Sequence, residues 1–392
     1  MKNKLALNLI IACFLVAVAV LGYLAPEVRV PVWTKDEPLA LELCDHEAGR
    51  YVTVVDERGK VITKISRQVF RGDEIITARA EHYRVTRVDR DVAEARLVGL
   101  DRDLLAWKEY YGRYGDELAV PVEGRRGIDV AIFHSHTMES YVPNAGKAFE
   151  ERGEIIDVGR AFAAALRRQG LSVFHDTTSH NPHDAQAYER SRRTVVQLME
   201  KRNPSILIDL HRDGIPDPDF YRRQIGGEVV SQLRLVVGRQ NPKQDANTDF
   251  ARRLMARANE KHPEVVKEIF KASGNYNQDL TSTAILIEAG THTNTKEEAE
   301  RGLALLAEAV PVVLGAGPAG PDQAGGIVGW RVMLAVVLVV LVGLGAYLVV
   351  SAGGVPQARE KLKQFFTREF GLGRGKPLKL RERGDDGDKT DQ

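Results

Sequence analysis

Residues 128–141 read IDVAIFHSHTMESY, and this stretch decides the fold. A largely apolar run, 128–133, stops at two histidines, His134 and His136, with Glu139 three residues further on. The same arrangement comes twice more. The run 206–210 ends at His211 in ILIDLHRD, and the run 284–287 ends at Glu288 in AILIEAG. Short apolar runs bounded by polar turns read as buried strands. Three strands that each deliver a metal-capable side chain at the carboxyl end place that chemistry where an open α/β sheet carries its active site.

Outward from these strands, residues 127–315 alternate strand and helix. Strands are predicted over 128–133, 171–175, 206–210, 233–237 and 284–288. Helices are predicted over 155–169, 188–201, 247–261 and 295–315, the last capped by Asn294 or Thr295 with Glu297 and Glu298 in its first turn. This predicts an α/β fold, a mostly parallel sheet flanked by helices on both faces. Ahead of it, residues 46–102 alternate over short segments separated by turns such as 57–60 and 71–73. They read as a small antiparallel β module, a spacer without a ligand of its own. Residues 26–45 form an extended stalk, 103–126 a connector that is helical at its start, and 316–326 (AGPAGPDQAGG) a Pro/Gly linker.

Two apolar segments, 5–24 and 327–351, are each long enough to cross a bilayer, which takes about 20 apolar residues. They bracket the folded part as two transmembrane helices, residues 1–25 being an uncleaved N-terminal anchor. Both flanks are basic: Lys2 and Lys4 at the start, and nine Lys and Arg from Arg359 to Arg383 in the tail 352–392. The positive-inside rule puts both termini in the cytoplasm and the domain between them outside the cytoplasmic membrane. A formal net charge of +1 gives no field for nucleic acid. The two cysteines, Cys13 and Cys44, form no Cys-x-x-Cys motif, so a cysteine zinc site is unsupported.

His136, Glu139 and His211 make a two-His, one-carboxylate set, which suits a catalytic Zn2+ with its fourth position open to water. Glu288 is placed to act as the general base. His134 is a second-shell histidine or an alternative ligand in place of His136. Asp213 is a candidate to orient a metal-bound histidine, and Arg212 to hold a substrate carboxylate. Asn275 and Gln278 sit in a Gly-flanked loop suited to substrate binding. His175, His180 and His183 lie in a polar loop and read as solvated or structural, and His292 lies near Glu288 in sequence.

FHSHTMESY, His175-Asp176, IDLHRD, VVGRQNP, YNQDL and LIEAGTHTNT, in this order over about 127–315, resemble the stage II sporulation protein P family. That family is similar to the zinc-dependent N-acetylmuramoyl-L-alanine amidases, whose layout zinc carboxypeptidases share. The resemblance implies cleavage of peptidoglycan, at the sugar–peptide amide and within the cross-linked peptide, during engulfment in a spore-forming bacterium. It also implies partners like stage II sporulation proteins D and M. His136 and His211 match the family's essential histidines, and Glu288 matches the strand-end catalytic glutamate of the amidases. For the carboxylate ligand, Glu139 competes with Glu150, Glu151 and Glu154, which lie nearer the next helix. The second span and basic tail depart from the family pattern. Two other readings stay open: a zinc peptidase acting on stem peptides, and a catalytically inert wall-binding scaffold.

Overall fold

In this computed structural model residues 48–115, 117 and 130–315, with isolated positions between 349 and 364, are described. The described residues from 48 to 315 belong to one compact unit. Its first strands are β1 (Val52–Val55), β2 (Val61–Ile65), β3 (Glu74–Thr77), β4 (Glu81–Asp89) and β5 (Val92–Leu100). Helix α1 (Arg102–Tyr114) follows, started by the Asp101 carboxylate, which accepts from the Leu104 N–H. Next come β6 (Val130–Phe133), the single turn α2 (Val142–Ala145), α3 (Ile155–Arg168), β7 (Val173–His175), α4 (Ala187–Arg202) and β8 (Ile206–Asp213). A Gly226-Gly227 hairpin joins β9 (Arg222–Ile225) to β10 (Glu228–Ser231). The chain closes with β11 (Leu233–Gly238), α5 (Gln244–Lys261), β12 (Val266–Ala272), β13 (Ala284–Thr291), α6 (Lys296–Ala307) and α7 (Val310–Gly315).

All but the β9–β10 pair join one sheet of 11 strands, in the order β2-β1-β5-β4-β3-β12-β11-β13-β8-β6-β7. The sheet is mixed, not mostly parallel as expected. β13, β8, β6 and β7 run parallel, whereas β11 is antiparallel to β13 and β3 to β12. The reason lies in the connections. A parallel neighbour needs a crossover, usually a helix. The chain leaves β8 through a loop and the β9–β10 hairpin, without a helix, and so enters β11 reversed. It runs from β11 to β12 through α5 and keeps its direction.

The upstream strands do not stand apart as a separate module. β3 pairs with β12, and Ile75 and Val54 share one buried cluster with Phe270, Val236 and Leu286 of the downstream strands. The larger cluster packs α3, α5 and α6 against the sheet through Phe162, Leu166, Leu254, Leu303 and Leu306. The closing helix is broken into α6 and α7, with Pro311 in the first turn of the second, where its missing N–H costs nothing. Its start carries a capping box between Thr295 and Glu298. The expected stalk, linker and N-terminal anchor, and nearly all of the second apolar segment, lie outside the described residues. Among the described residues, no helix is long and apolar enough to cross a membrane.

Candidate metal centre

β6 and β8 are parallel neighbours, as are β8 and β13, so the chemistry that follows them converges at one edge. Glu288 lies opposite His211 in the β13–β8 register. The chain after β6 turns sharply, and Glu139 comes back toward β8. One carboxylate oxygen, Oε1, lies 3.5 Å from His136 Nδ1 and 3.3 Å from His211 Nδ1. The other, Oε2, accepts from the Arg212 backbone N–H at 2.9 Å. Two ligands each about 2.1 Å from a tetrahedral zinc sit about 3.4 Å apart, so these separations suit donors in one coordination sphere. The donor set fits the metal in its chemistry, and Glu139 stands at ligand spacing from both histidines.

The electrostatics point the same way. Burial opposes charge on Glu139, but His211, His136 and Arg212 hold its carboxyl well below the usual range. Burial equally opposes a charged His211, yet Asp209 and Glu139 hold that imidazole well above its ordinary value. Asp209 Oδ1 sits 2.8 Å from His211 Nε2, leaving Nδ1 turned toward Glu139. Asp209 is itself held by the Ser135 backbone N–H at 2.8 Å and the Ser135 hydroxyl at 2.5 Å. Glu288 is buried, and desolvation, with Asp213 nearby, pushes its carboxyl up to about 8 against the pull of Arg67 and His211. That is a suitable range for a group that takes and returns a proton near neutrality.

Several expected roles change. Asp213 does not orient His211. Its Oδ2 accepts from the Tyr221 hydroxyl at 2.7 Å and from Arg234, and its Oδ1 from Gly214 N and Ser66 N. Asp209, two residues earlier on β8 and so on the same face as His211, takes that place. The Arg212 side chain is fully buried, donates to the Ser140 and Ala148 carbonyls and lies over the Phe149 ring, so it braces the turn and is not offered to substrate. His134 is no alternative ligand: its Nδ1 meets the Leu210 carbonyl and its Nε2 meets His175 Nε2, both at 2.8 Å. The Glu151 side chain is exposed, and its backbone carbonyl accepts from Asn181. Gln278 spends its amide on the backbone of β11, at Gly238 N and Val236 O, and Asn275 bonds to Asp279. Neither faces the centre. From their loop it is Tyr276 that packs toward the site, edge-on to Tyr188, whose ring lies 5.1 Å from that of His136.

Two neighbours escaped the sequence reading. His183 stands with its ring centroid 4.2 Å from that of His136, and His136, Glu139 and His183 each offer a donor atom within 4.8 Å of the others. The loop that carries it is tied down by Thr137 to Asn181, at 2.7 Å, and by Arg190 to the His180 carbonyl and Asp184. Its histidine-rich composition was the available signal. Arg67, at the end of β2, reaches Glu288 Oε1 at 3.4 Å, and no local pattern announces it.

The fold and site together define a mixed α/β protein with a two-histidine, one-carboxylate candidate metal site near the carboxyl ends of its parallel strands. Residues 113–311, just over half of the chain, match the profile of the stage II sporulation protein P (SpoIIP) family. The chain belongs to this family. It is 29% identical over 191 residues to stage II sporulation protein P of Bacillus subtilis (strain 168), a match that covers 44% of this chain and 47% of that protein. The chain thus spans about half the length of the curated relative it matches. Among solved structures it is similar to the CwlD amidase of Clostridioides difficile in complex with the GerS lipoprotein, at 13% identity and a TM-score of 0.33, covering 47% of this chain and 95% of that one. It is also similar to the N-acetylmuramyl-L-alanine amidase Ami1 of Mycobacterium smegmatis, at 16% identity and a TM-score of 0.31, covering 52% and 97%.

Proposed function

We propose that this chain is a zinc-dependent peptidoglycan hydrolase of sporulation that cleaves the amide between N-acetylmuramic acid and the stem peptide. The observation that carries the reading is the Glu139 carboxylate, 3.5 Å from His136 and 3.3 Å from His211, with the buried carboxyl of Glu288 on the adjoining strand. His136, Glu139 and His211 would hold the zinc, with His183 within reach of the same point. When bound, zinc supplies Lewis acidity toward an amide carbonyl and toward water. The residues do the rest. Asp209 keeps His211 turned so that Nδ1 faces Glu139. The Arg212 N–H fixes the Glu139 carboxylate. Glu288, with Oε1 toward Arg67, would take a proton from the attacking water and return it to the leaving amine. The apolar segments 5–24 and 327–351, with their basic flanks, support anchoring in the cytoplasmic membrane with the domain on the peptidoglycan side.

The test uses the full chain, purified in detergent, with its zinc content measured and its products from peptidoglycan sacculi analysed by mass spectrometry with and without chelator. The expected result is stoichiometric zinc and chelator-sensitive release of intact stem peptides. Shortened peptides on intact lactyl–alanine bonds would replace the amidase with a peptidase. A folded protein that neither binds zinc nor releases anything would overturn the hydrolase reading. Glu288→Gln should retain zinc and lose turnover by about 10²–10⁴-fold.

A further inference from the structure

Arg67 lies on the loop after β2, upstream of residue 113 where the family match begins. Its guanidinium is buried, its side chain only 3% exposed, and it lies 3.4 Å from Glu288 Oε1. A buried guanidinium is costly unless a counter-charge and good geometry compensate. Here Arg67 donates to Glu288 Oε1, and its guanidinium carbon lies 4.9 Å from the centroid of the Tyr276 ring. The stretch that leads into Arg67 is tied to the downstream strands. Ser66 N donates to Asp213 at 3.3 Å, the Thr63 hydroxyl to Glu268 at 2.6 Å, and Arg234 bonds to the Thr63 hydroxyl and the Lys64 carbonyl. A rigid support of this kind is what holds a reacting group to its productive geometry.

We propose that Arg67 is a positioning residue for Glu288, so that the strands ahead of the matched region complete the active site instead of serving as a spacer. The inference rests on Glu288 being the proton-moving group of the proposed hydrolase. By fixing Oε1, Arg67 determines which carboxylate oxygen turns to the metal side. A misplaced catalytic carboxylate lowers turnover and leaves substrate binding and zinc affinity alone.

The experiment compares the full chain with Arg67→Gln, Arg67→Lys, Glu288→Gln and the Arg67→Gln/Glu288→Gln double variant. Measured are kcat, KM, zinc content and thermal midpoint. Misplacement on this scale predicts a kcat for Arg67→Gln lowered at least about 10-fold, with KM within about 2-fold and zinc unchanged. Arg67→Lys should restore part of that kcat, and Arg67→Gln should cost no further kcat in the Glu288→Gln background. Unchanged kcat in Arg67→Gln, a loss that follows zinc loss, or losses that multiply in the double variant would overturn the proposal. If the parent chain is inactive on sacculi, the hydrolase reading fails by itself, and the thermal midpoints then decide whether the two side chains are coupled. Arg67→Gln should lower the midpoint in the parent and not in the Glu288→Gln background, and equal shifts in both would overturn the pairing.

Discussion

His211 sits between two carboxylates, Glu139 at Nδ1 and Asp209 at Nε2, and each has a separate task. Glu139 shares its position with a prospective metal, while Asp209 fixes the orientation of the ring and raises its basicity. Carboxylates of this second kind typically contribute 10–100-fold in metal affinity. Asp209→Asn should therefore weaken zinc binding by about 10–100-fold while leaving the fold in place, read by competition with a chromogenic chelator. Unchanged affinity would remove Asp209 from the centre. His134 shows the opposite fate for a histidine two residues from a candidate ligand. Both of its ring nitrogens are engaged, by the Leu210 carbonyl and by His175, so it cannot share the metal.

At the scale of elements, α3 presses on that histidine pair. A Cβ at Gly159 would stand 2.7 Å from His134 Cε1 and Nε2 and from His175 Nε2. Alanine is the better helix former by about 1 kcal/mol. The clash wins, because the atoms met are rings of hydrogen-bonded histidines and not the flexible ends of long side chains. Gly159→Ala should destabilise the protein by about 1–3 kcal/mol in urea unfolding, and a stabilised variant would show that the pair can yield.

At the scale of the whole molecule, Arg234 ties the upstream strands to the downstream part of the sheet. It is 2% exposed, donates to Glu268 at 2.7 Å, pairs with Asp213 and reaches Thr63 and Lys64 near the end of β2. Removing one partner of a buried ion network strands the others, so Arg234→Ala should cost about 3–5 kcal/mol, measured by denaturant unfolding. A loss under 1 kcal/mol, the range of surface pairs, would mean that the network is not a joint. Acid sensitivity is also expected. Burial, then the neighbouring His175, pushes the His134 imidazole down to about 3, and burial, then Arg160, pushes His175 down to about 4. Both are neutral in the folded state at pH values where the unfolded chain takes up protons. Their contribution to stability is present above about pH 6.5 and is lost as pH falls from there toward 4. The buried His134 alone adds a slope of up to about 1.4 kcal/mol per pH unit in that window. His175→Phe should flatten the pH dependence of the urea midpoint, and an unaltered profile would assign the acid sensitivity elsewhere.

Much of this molecule is legible without coordinates. Apolar runs that end at His136, His211 and Glu288 mark buried strands and the residues at their ends, because a buried strand and a polar strand end are local properties of the chain. The boundaries of α3, α4 and α5 follow from periodicity and from Gly and Pro stops in the same way. What the local pattern could not carry is pairing between distant segments. The antiparallel entry of β11, the joining of β3 to β12, the choice of Asp209 over Asp213 beside His211, and the arrival of Arg67 and His183 at the centre depend on which strands become neighbours. That neighbourhood is set by the burial of the whole sheet and by the partners its buried charges require, and residues more than a hundred positions apart meet only when both demands are met at once.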